Sequence, residues 1–114
     1  MKLQHFELEI LLSMIRERRE TYSVPLVVAL EKQTGRRVAQ AAVFIALSRL
    51  EAKGLVASRL EEPAGGRVRR YFKVTRQGMA AVKQHHEDHA RLWRGLGRLL
   101  RVGKAAKAAK AAKG

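Results

Sequence analysis

Residues 38–75 constrain the fold more than any other part of the chain. They begin with the segment VAQAAVFIALSRLEAK, in which Val43, Leu47 and Leu50, with Ala46, form an inner apolar stripe at helical spacing. Gly54 follows, and a glycine just after a helical pattern commonly ends the helix. Two runs of alternating residues, LVASRLEE and RVRRYFKVT, then flank the turn-forming sequence PAGG. We therefore predict a helix over residues 38–53 that leads directly into a two-stranded β-ribbon.

Two further helices are predicted before this segment. Residues 3–18 carry an apolar stripe with charged residues opposite, as in an amphipathic helix. The next helix follows TYSVP, where Thr21 or Ser23 is expected to cap its start, and it ends at Gly35. Three short helices followed by a β-ribbon are typical of a winged helix-turn-helix, whose third helix is the recognition helix. We predict a mainly α fold with a small β-ribbon, with this DNA-binding domain over residues 1–74.

A last helix is predicted after Thr75, which is expected to cap its start. Its apolar and aromatic residues recur at intervals of three and four, the spacing of a coiled-coil seam: Met79, Val82, His86, His89, Trp93, Leu96 and Leu100. Because so small a domain cannot cover this stripe, we expect residues 75–102 to form a dimerisation helix. This helix would pack on the first helix, with Phe6 and Ile10 joining the interface. Residues 103–114, KAAKAAKAAKG and its preceding glycine, are expected to form a flexible basic tail.

The charge of the chain indicates a polyanionic partner. Lys and Arg number 24 against 10 Asp and Glu, which gives a formal net charge of +14. We expect double-stranded DNA as the partner and rank an anionic membrane second. The absence of cysteine excludes disulfides and thiolate zinc sites. No apolar stretch reaches the roughly 18 residues of a membrane span, so we expect a soluble cytoplasmic protein. Of the two polyanionic candidates we choose DNA and expect no membrane partner.

Nine residues are candidates for DNA contact: Arg36, Arg37, Gln40, Ala41, Phe44, Arg67, Arg69, Arg70 and Lys73. The cations suit phosphates, Gln40 suits the two major-groove groups of adenine, and Ala41 suits a thymine methyl group. Two alternatives remain open from the residues alone. The basic ribbon can be a solvated charged hairpin, and Phe44 can pack against the second helix.

Other side chains suggest weaker hypotheses. His85 and His89, one helical turn apart, have the spacing of two zinc or nickel ligands, although imidazoles on a helix also serve as interface packing or a pH-sensitive layer. Trp93 can stack on a planar ligand or simply pack in the interface. No nucleophile elbow, no phosphate-binding glycine loop and no carboxylate pair in a pocket-forming context are found, so we expect neither an enzyme nor a cofactor.

The segment LSRLEAKGLVASRLEEPAGGRVRRYFKVTRQG resembles the core signature of the PadR-type winged-helix transcriptional regulators. Its LE-x-KGL helix end, GGR wing tip, aromatic pair and T-x-x-G carry the resemblance. The upstream FELEILLSMI and TYSVP are also similar to that family, so the likeness spans about residues 5–96. It implies a homodimeric repressor that binds a palindromic operator, with a small planar effector near the dimer interface. Our alternatives are a nonspecific architectural protein that coats DNA through wing and tail, and a regulator that responds to metal or pH.

Overall fold

The structure is a computed structural model that describes residues 3–62 and 66–100. Its elements, in chain order, are α1 (His5–Glu17), α2 (Ser23–Thr34), α3 (Gln40–Ala52), β1 (Val56–Glu61), β2 (Arg69–Val74) and α4 (Arg76–Trp93). Residues 96–100 are again helical, so the helix predicted over residues 75–102 is interrupted after Trp93, where Gly95 takes a left-handed conformation at φ 85°. The chain divides into two compact units, residues 1–82 and 83–114. The predicted fold class, mainly α with a small β-ribbon, is confirmed; the predicted basic tail lies outside the described residues.

Glycines end the second and third helices, as predicted. The C-cap of α2 is Gly35 at φ 70°, and its N–H donates to the carbonyl of Glu31. Gly54, at φ 77°, follows α3. Both lie in the left-handed region, which glycine adopts without steric cost. The start of α3 is two residues later than predicted, because the backbone of its N-cap Ala39 is extended at ψ 134°. The N–H of Val38 just before it donates to the Glu31 carboxylate at 2.9 Å.

The start of α2 differs from the sequence prediction. Its N-cap is Tyr22, which makes no capping hydrogen bond through its side chain. Thr21 instead pairs with Phe72 in an antiparallel bridge, with N···O distances of 3.0 and 2.7 Å. Because the backbone of Thr21 is engaged with β2, the helix begins after it. The α1–α2 loop is thereby fixed to the ribbon.

The core of the first unit lies between α1, α2, α3 and the base of the ribbon. Its buried apolar residues are Ile10, Leu11, Met14, Leu26, Leu30, Val43, Ala46, Leu47, Leu50, Leu55, Val56 and Phe72. This set includes the whole inner stripe predicted for α3. It also includes Ile10, which we expected at a dimer interface. Ile10 has no exposed surface, because it is buried in the core of its own chain. It is therefore not available to a dimer interface.

The ribbon is a regular antiparallel pair that runs from Val56↔Val74 to Glu61↔Arg69. Its base is buried, and its outer half extends beyond the core. Leu60 alternates onto the same face of β1 as the buried Val56, but it lies in the outer half and is 59% exposed. The predicted tip includes residues 63–65, which are outside the described part of the chain.

Thr75 caps α4, as predicted. Its hydroxyl accepts a hydrogen bond from the N–H of Gly78 at 3.0 Å and donates to the carbonyl of Gly54 at 2.7 Å. A Cβ on Gly78 would lie 2.1 Å from the carbonyl oxygen of Leu55. The first turn of α4 therefore lies directly against the junction between α3 and β1, and Gly78 permits this approach.

Candidate nucleic-acid interface

The outer face of α3 is exposed and largely apolar. Ala41, Ile45 and Ser48 lie opposite the buried stripe, and Ile45 is 52% exposed. Phe44 lies beside them, 46% exposed, and its ring meets that of the buried Phe72 edge-on at 6.4 Å between centroids. Phe44 thus both packs on the base of the ribbon and presents half of its surface to solvent.

Gln40, at the first position of α3, is exposed and held by α2. Its side-chain amide donates to the hydroxyl of Ser23 at 3.1 Å. This contact joins the starts of the two helices. It leaves the Gln40 carbonyl oxygen as an acceptor and the second amide hydrogen as a donor.

Two arginines precede α3 and differ in their surroundings. Arg36 pairs with Glu9 of α1, with 2.6 Å between Nη2 and Oε1. Arg37 is exposed, and within residues 3–62 and 66–100 it has no ion-pair or hydrogen-bond partner. Arg37 therefore offers a whole guanidinium to an anion, whereas Arg36 is partly neutralised.

The cations of the ribbon also differ in whether a neighbouring side chain binds them. Arg67 and Lys73 are exposed and form no ion pair within the described part of the chain. Arg70 donates to the hydroxyl of Ser58 at 2.9 Å, and this hydroxyl donates to the Glu51 carboxylate of α3. Ser58 therefore connects the ribbon to the last turns of α3.

Arg69 stacks across the start of α2. Its guanidinium carbon lies 4.8 Å from the centroid of the Tyr22 ring, a cation–π contact. Tyr22 in turn meets Tyr71 edge-on at 5.4 Å. The predicted DNA contact Arg69 is thus oriented by an aromatic pair.

Sequence reasoning missed the residue that fixes the ribbon to the α1–α2 loop. Arg59 forms a forked pair with Glu20, at 2.9 Å from Nε to Oε2 and 2.8 Å from Nη2 to Oε1. It also pairs with Glu61 at 2.6 Å and lies 5.0 Å from the Tyr71 centroid. The hydrogen bonds with Arg59 lower the pKa of Glu20, and those with Glu20 and then Glu61 raise the pKa of Arg59. The cross-strand position of Arg59 and Tyr71 follows from the ribbon register, but nothing in the sequence pairs Arg59 with Glu20.

The interface therefore combines an exposed helix face with cations before it and on the adjacent ribbon. The sequence pattern of the family described as "Transcriptional regulator PadR-like family" matches residues 11–84. The chain belongs to the PadR-like family of transcriptional regulators.

Solved PadR-like and related structures share the fold of this chain. A PadR-like regulator from Bacillus cereus is 21% identical with a TM-score of 0.66, over 83% of this chain and 90% of that one. RosR of H. salinarum is 23% identical with a TM-score of 0.66, over 97% and 96% of the two chains. A transcriptional regulator from Thermoplasma acidophilum is 19% identical with a TM-score of 0.68, over 83% and 89%. A comparison with curated proteins finds no match.

The second unit of this PadR-like chain carries a row of stacked rings on α4. His85 and His89 stack at 6.4 Å between centroids, and His89 stacks on Trp93 at 5.4 Å. Trp93 is 48% exposed. Within the described residues, no group of three or more His, Cys, Asp or Glu side chains is placed to hold a metal ion. In that same part of the chain, no helix is long and apolar enough to cross a membrane.

Proposed function

We propose that this PadR-like protein represses transcription by binding a palindromic DNA operator as a homodimer. The observation that carries the proposal is the exposed face of α3, which has Arg37 before it and the cations of the ribbon beside it. A helix with this exposure suits the major groove, and a basic ribbon suits the adjacent backbone. The two features belong to one unit of the chain, so they would act together.

The roles of the contacts follow from their chemistry. Arg37, Arg67 and Lys73 would bind phosphates with their full charge, and Arg36, Arg69 and Arg70 would do so from positions fixed by neighbouring side chains. Gln40, Ala41 and Phe44 would face base edges. Phosphate contacts carry little sequence information, so specificity would come from α3.

A second copy of the chain would cover the seam of α4. Four seam side chains of α4 and of helical residues 96–100 are each close to half exposed, at 46 to 49%: Met79, Trp93, Leu96 and Leu100. His86 and His89 are also exposed, whereas Val82 is partly buried against the core of the first unit. Phe6 packs against the same core and is partly exposed, so it stays in the proposed interface. A two-fold axis through this seam would match the two halves of a palindrome.

We also propose Trp93 as a contact for a small planar effector. Its indole is half exposed and stacks with His89 on one side. A flat ligand would extend this stack. Binding there would change the packing of the dimer seam, which is how an effector would act on half-site spacing.

The experiment that tests the proposal is selection of bound fragments from a random DNA pool with the full-length chain at physiological salt. We expect an enriched inverted repeat. Tight binding without enrichment would favour the architectural alternative, which the charge of +14 supports. Deleting residues 104–114 separates the two, because a regulator retains its operator preference and a protein that coats DNA through its tail loses most of its affinity.

A further inference from the structure

The outward ridge of α3 has no side chain that can make a bidentate hydrogen bond to a base, and the exposed Arg49 lies on the flank towards α1, where its charge acts on Glu7. Ala41, Ile45 and Ser48 form this outward ridge, with Phe44 on the ribbon side. Ser48 brings a single hydroxyl, which pairs with several base edges without discriminating strongly. The polar Gln40 lies at the first position of the helix and is tied to Ser23. Sequence reading along this ridge therefore depends on apolar contact.

Ile45 is the largest side chain on that ridge and is 52% exposed. An exposed isoleucine in the centre of a helix that packs well on its other side has no role in the core of its own unit. Arg37 precedes this face, and Arg70 is connected to the end of α3 through Ser58, so a polyanion is a better occupant for this face than an apolar protein surface. DNA is then the molecule against which Ile45 would be buried.

Thymine alone among the four bases presents a methyl group in the major groove. We propose that α3 reads DNA chiefly through thymine 5-methyl groups, with Ile45 as the principal contact and Ala41 and Phe44 beside it. This inference rests on the proposed DNA-binding function and specifies how that function selects its sites. It predicts operator half-sites that contain thymine where α3 docks.

Loss of one methyl contact should weaken DNA binding moderately, and the free-energy losses of separate contacts should add. Burial of one methyl group against an aliphatic side chain corresponds to about fourfold in affinity. A palindrome presents each contact twice, so removal of one methyl position from both half-sites should weaken binding by roughly fifteenfold.

The test compares operator duplexes that differ only in methyl groups. In the selected operator, each thymine in turn is replaced by deoxyuridine, which removes the methyl and keeps every hydrogen-bonding group. Affinity is measured by fluorescence anisotropy with the full-length chain at one salt concentration. We expect a loss at the thymines under α3 and none at thymines outside the site. At the sensitive positions, cytosine should bind weakly and 5-methylcytosine should recover much of the affinity.

Variants of the protein link the effect to α3. At the thymine that Ile45 contacts, Ile45→Ala should bind the thymine and deoxyuridine operators nearly equally, and Ile45→Val should keep most of the discrimination. Val28→Ala is the matched control, since Val28 is a branched side chain that is 60% exposed on α2. It should discriminate like the parent protein. Circular dichroism and the midpoint of thermal unfolding establish that each variant is folded.

Two outcomes would overturn the inference while leaving DNA binding intact. One is equal affinity of the parent protein for the thymine and deoxyuridine operators. The other is full discrimination by a folded Ile45→Ala variant. Absence of any DNA binding by the parent protein would instead contradict the proposed function, and the methyl readout with it.

Discussion

At the scale of single residues, Glu7 is an unusual member of the first unit. It is only 2% exposed, and its Oε1 accepts hydrogen bonds from Lys53 Nζ at 2.6 Å and from the N–H of Gln4 at 2.9 Å. Burial raises the pKa of Glu7, but the bonds with Lys53 and Gln4 outweigh burial, so the pKa lies below the ordinary 4.5. The carboxylate ties the start of α1 to the end of α3.

We predict that Glu7→Gln destabilises the protein by about 1–3 kcal/mol near neutral pH, because the amide cannot replace the charge-assisted bond to Lys53. The folded pKa is depressed, so the contribution of Glu7 is present above the unfolded pKa and is lost as pH falls through the folded pKa. The difference between parent and variant should therefore shrink on acidification. Urea unfolding at about pH 7 and about pH 3 measures it.

Glu17→Gln is the control for that prediction, since Glu17 is exposed at the end of α1 and the pair with Lys53 is untouched. It should leave the unfolding midpoint nearly unchanged at both pH values. If Glu7→Gln lowers the free energy of unfolding by the same amount at both pH values, the predicted pH dependence is wrong.

Gly78 supports a second prediction at this scale. Gly78→Ala should destabilise the protein by about 1–3 kcal/mol, because the new Cβ would clash with the backbone carbonyl of Leu55 and α4 would have to shift. Gly97→Ala is the matched change, since nothing lies within 4 Å of its Cβ position. It should be neutral or stabilising by up to about 1 kcal/mol, the helix preference of alanine. Thermal unfolding followed by circular dichroism at 222 nm compares the two variants. Equal shifts of the unfolding midpoint would contradict the close approach of Gly78 to the Leu55 carbonyl.

At the scale of elements, the ribbon is held in place by contacts with the α1–α2 loop. The Thr21 bridge fixes the backbone of β2, and the Glu20–Arg59 pair fixes the side of β1. Tyr22 and Tyr71 fill the space between them. The position of the basic ribbon relative to α3 therefore depends on the loop that precedes α2.

We predict that Glu20→Gln weakens operator binding by roughly threefold although it removes a negative charge, which by itself favours DNA. The reason is that Arg59 loses its forked partner and the ribbon loses its fixed orientation. Glu17→Gln removes the same charge without this contact and should bind DNA as tightly as the parent or slightly more tightly. A double-mutant cycle with Arg59→Gln measures the coupling. Equal DNA affinities for Glu20→Gln and Glu17→Gln would show that the Glu20–Arg59 pair does not position the ribbon for DNA binding.

At the scale of the whole molecule, the proposed dimer requires that α4 and the helical residues after it bury side chains against a second copy of the chain. Leu96→Ser should weaken self-association by at least tenfold, because a leucine buried at an interface contributes about 1.5–3 kcal/mol. Leu92→Ser is the control, since Leu92 is 76% exposed and flanks the seam. Light scattering over a dilution series measures the molar mass. A parent chain that stays monomeric at high concentration would refute the dimer.

The sequence itself determined the elements and the inner face of α3. Gly35 and Gly54 end helices because the left-handed conformation is a local preference, and Thr75 caps α4 through a hydroxyl three residues from its donor. The stripe of α3 follows from helical periodicity alone. Each of these features depends on residues a few positions apart, so each could be predicted from the sequence.

Only the tertiary structure decided which residues of distant segments meet. Glu20 and Arg59 are 39 positions apart, and their pairing depends on how the ribbon packs against the first loop. The same packing buried Ile10 and left Leu60 exposed, although both carry the pattern of an apolar face. Hydrophobic periodicity identifies which face of an element is apolar, whereas the neighbour that covers it is chosen by the packing of the whole unit.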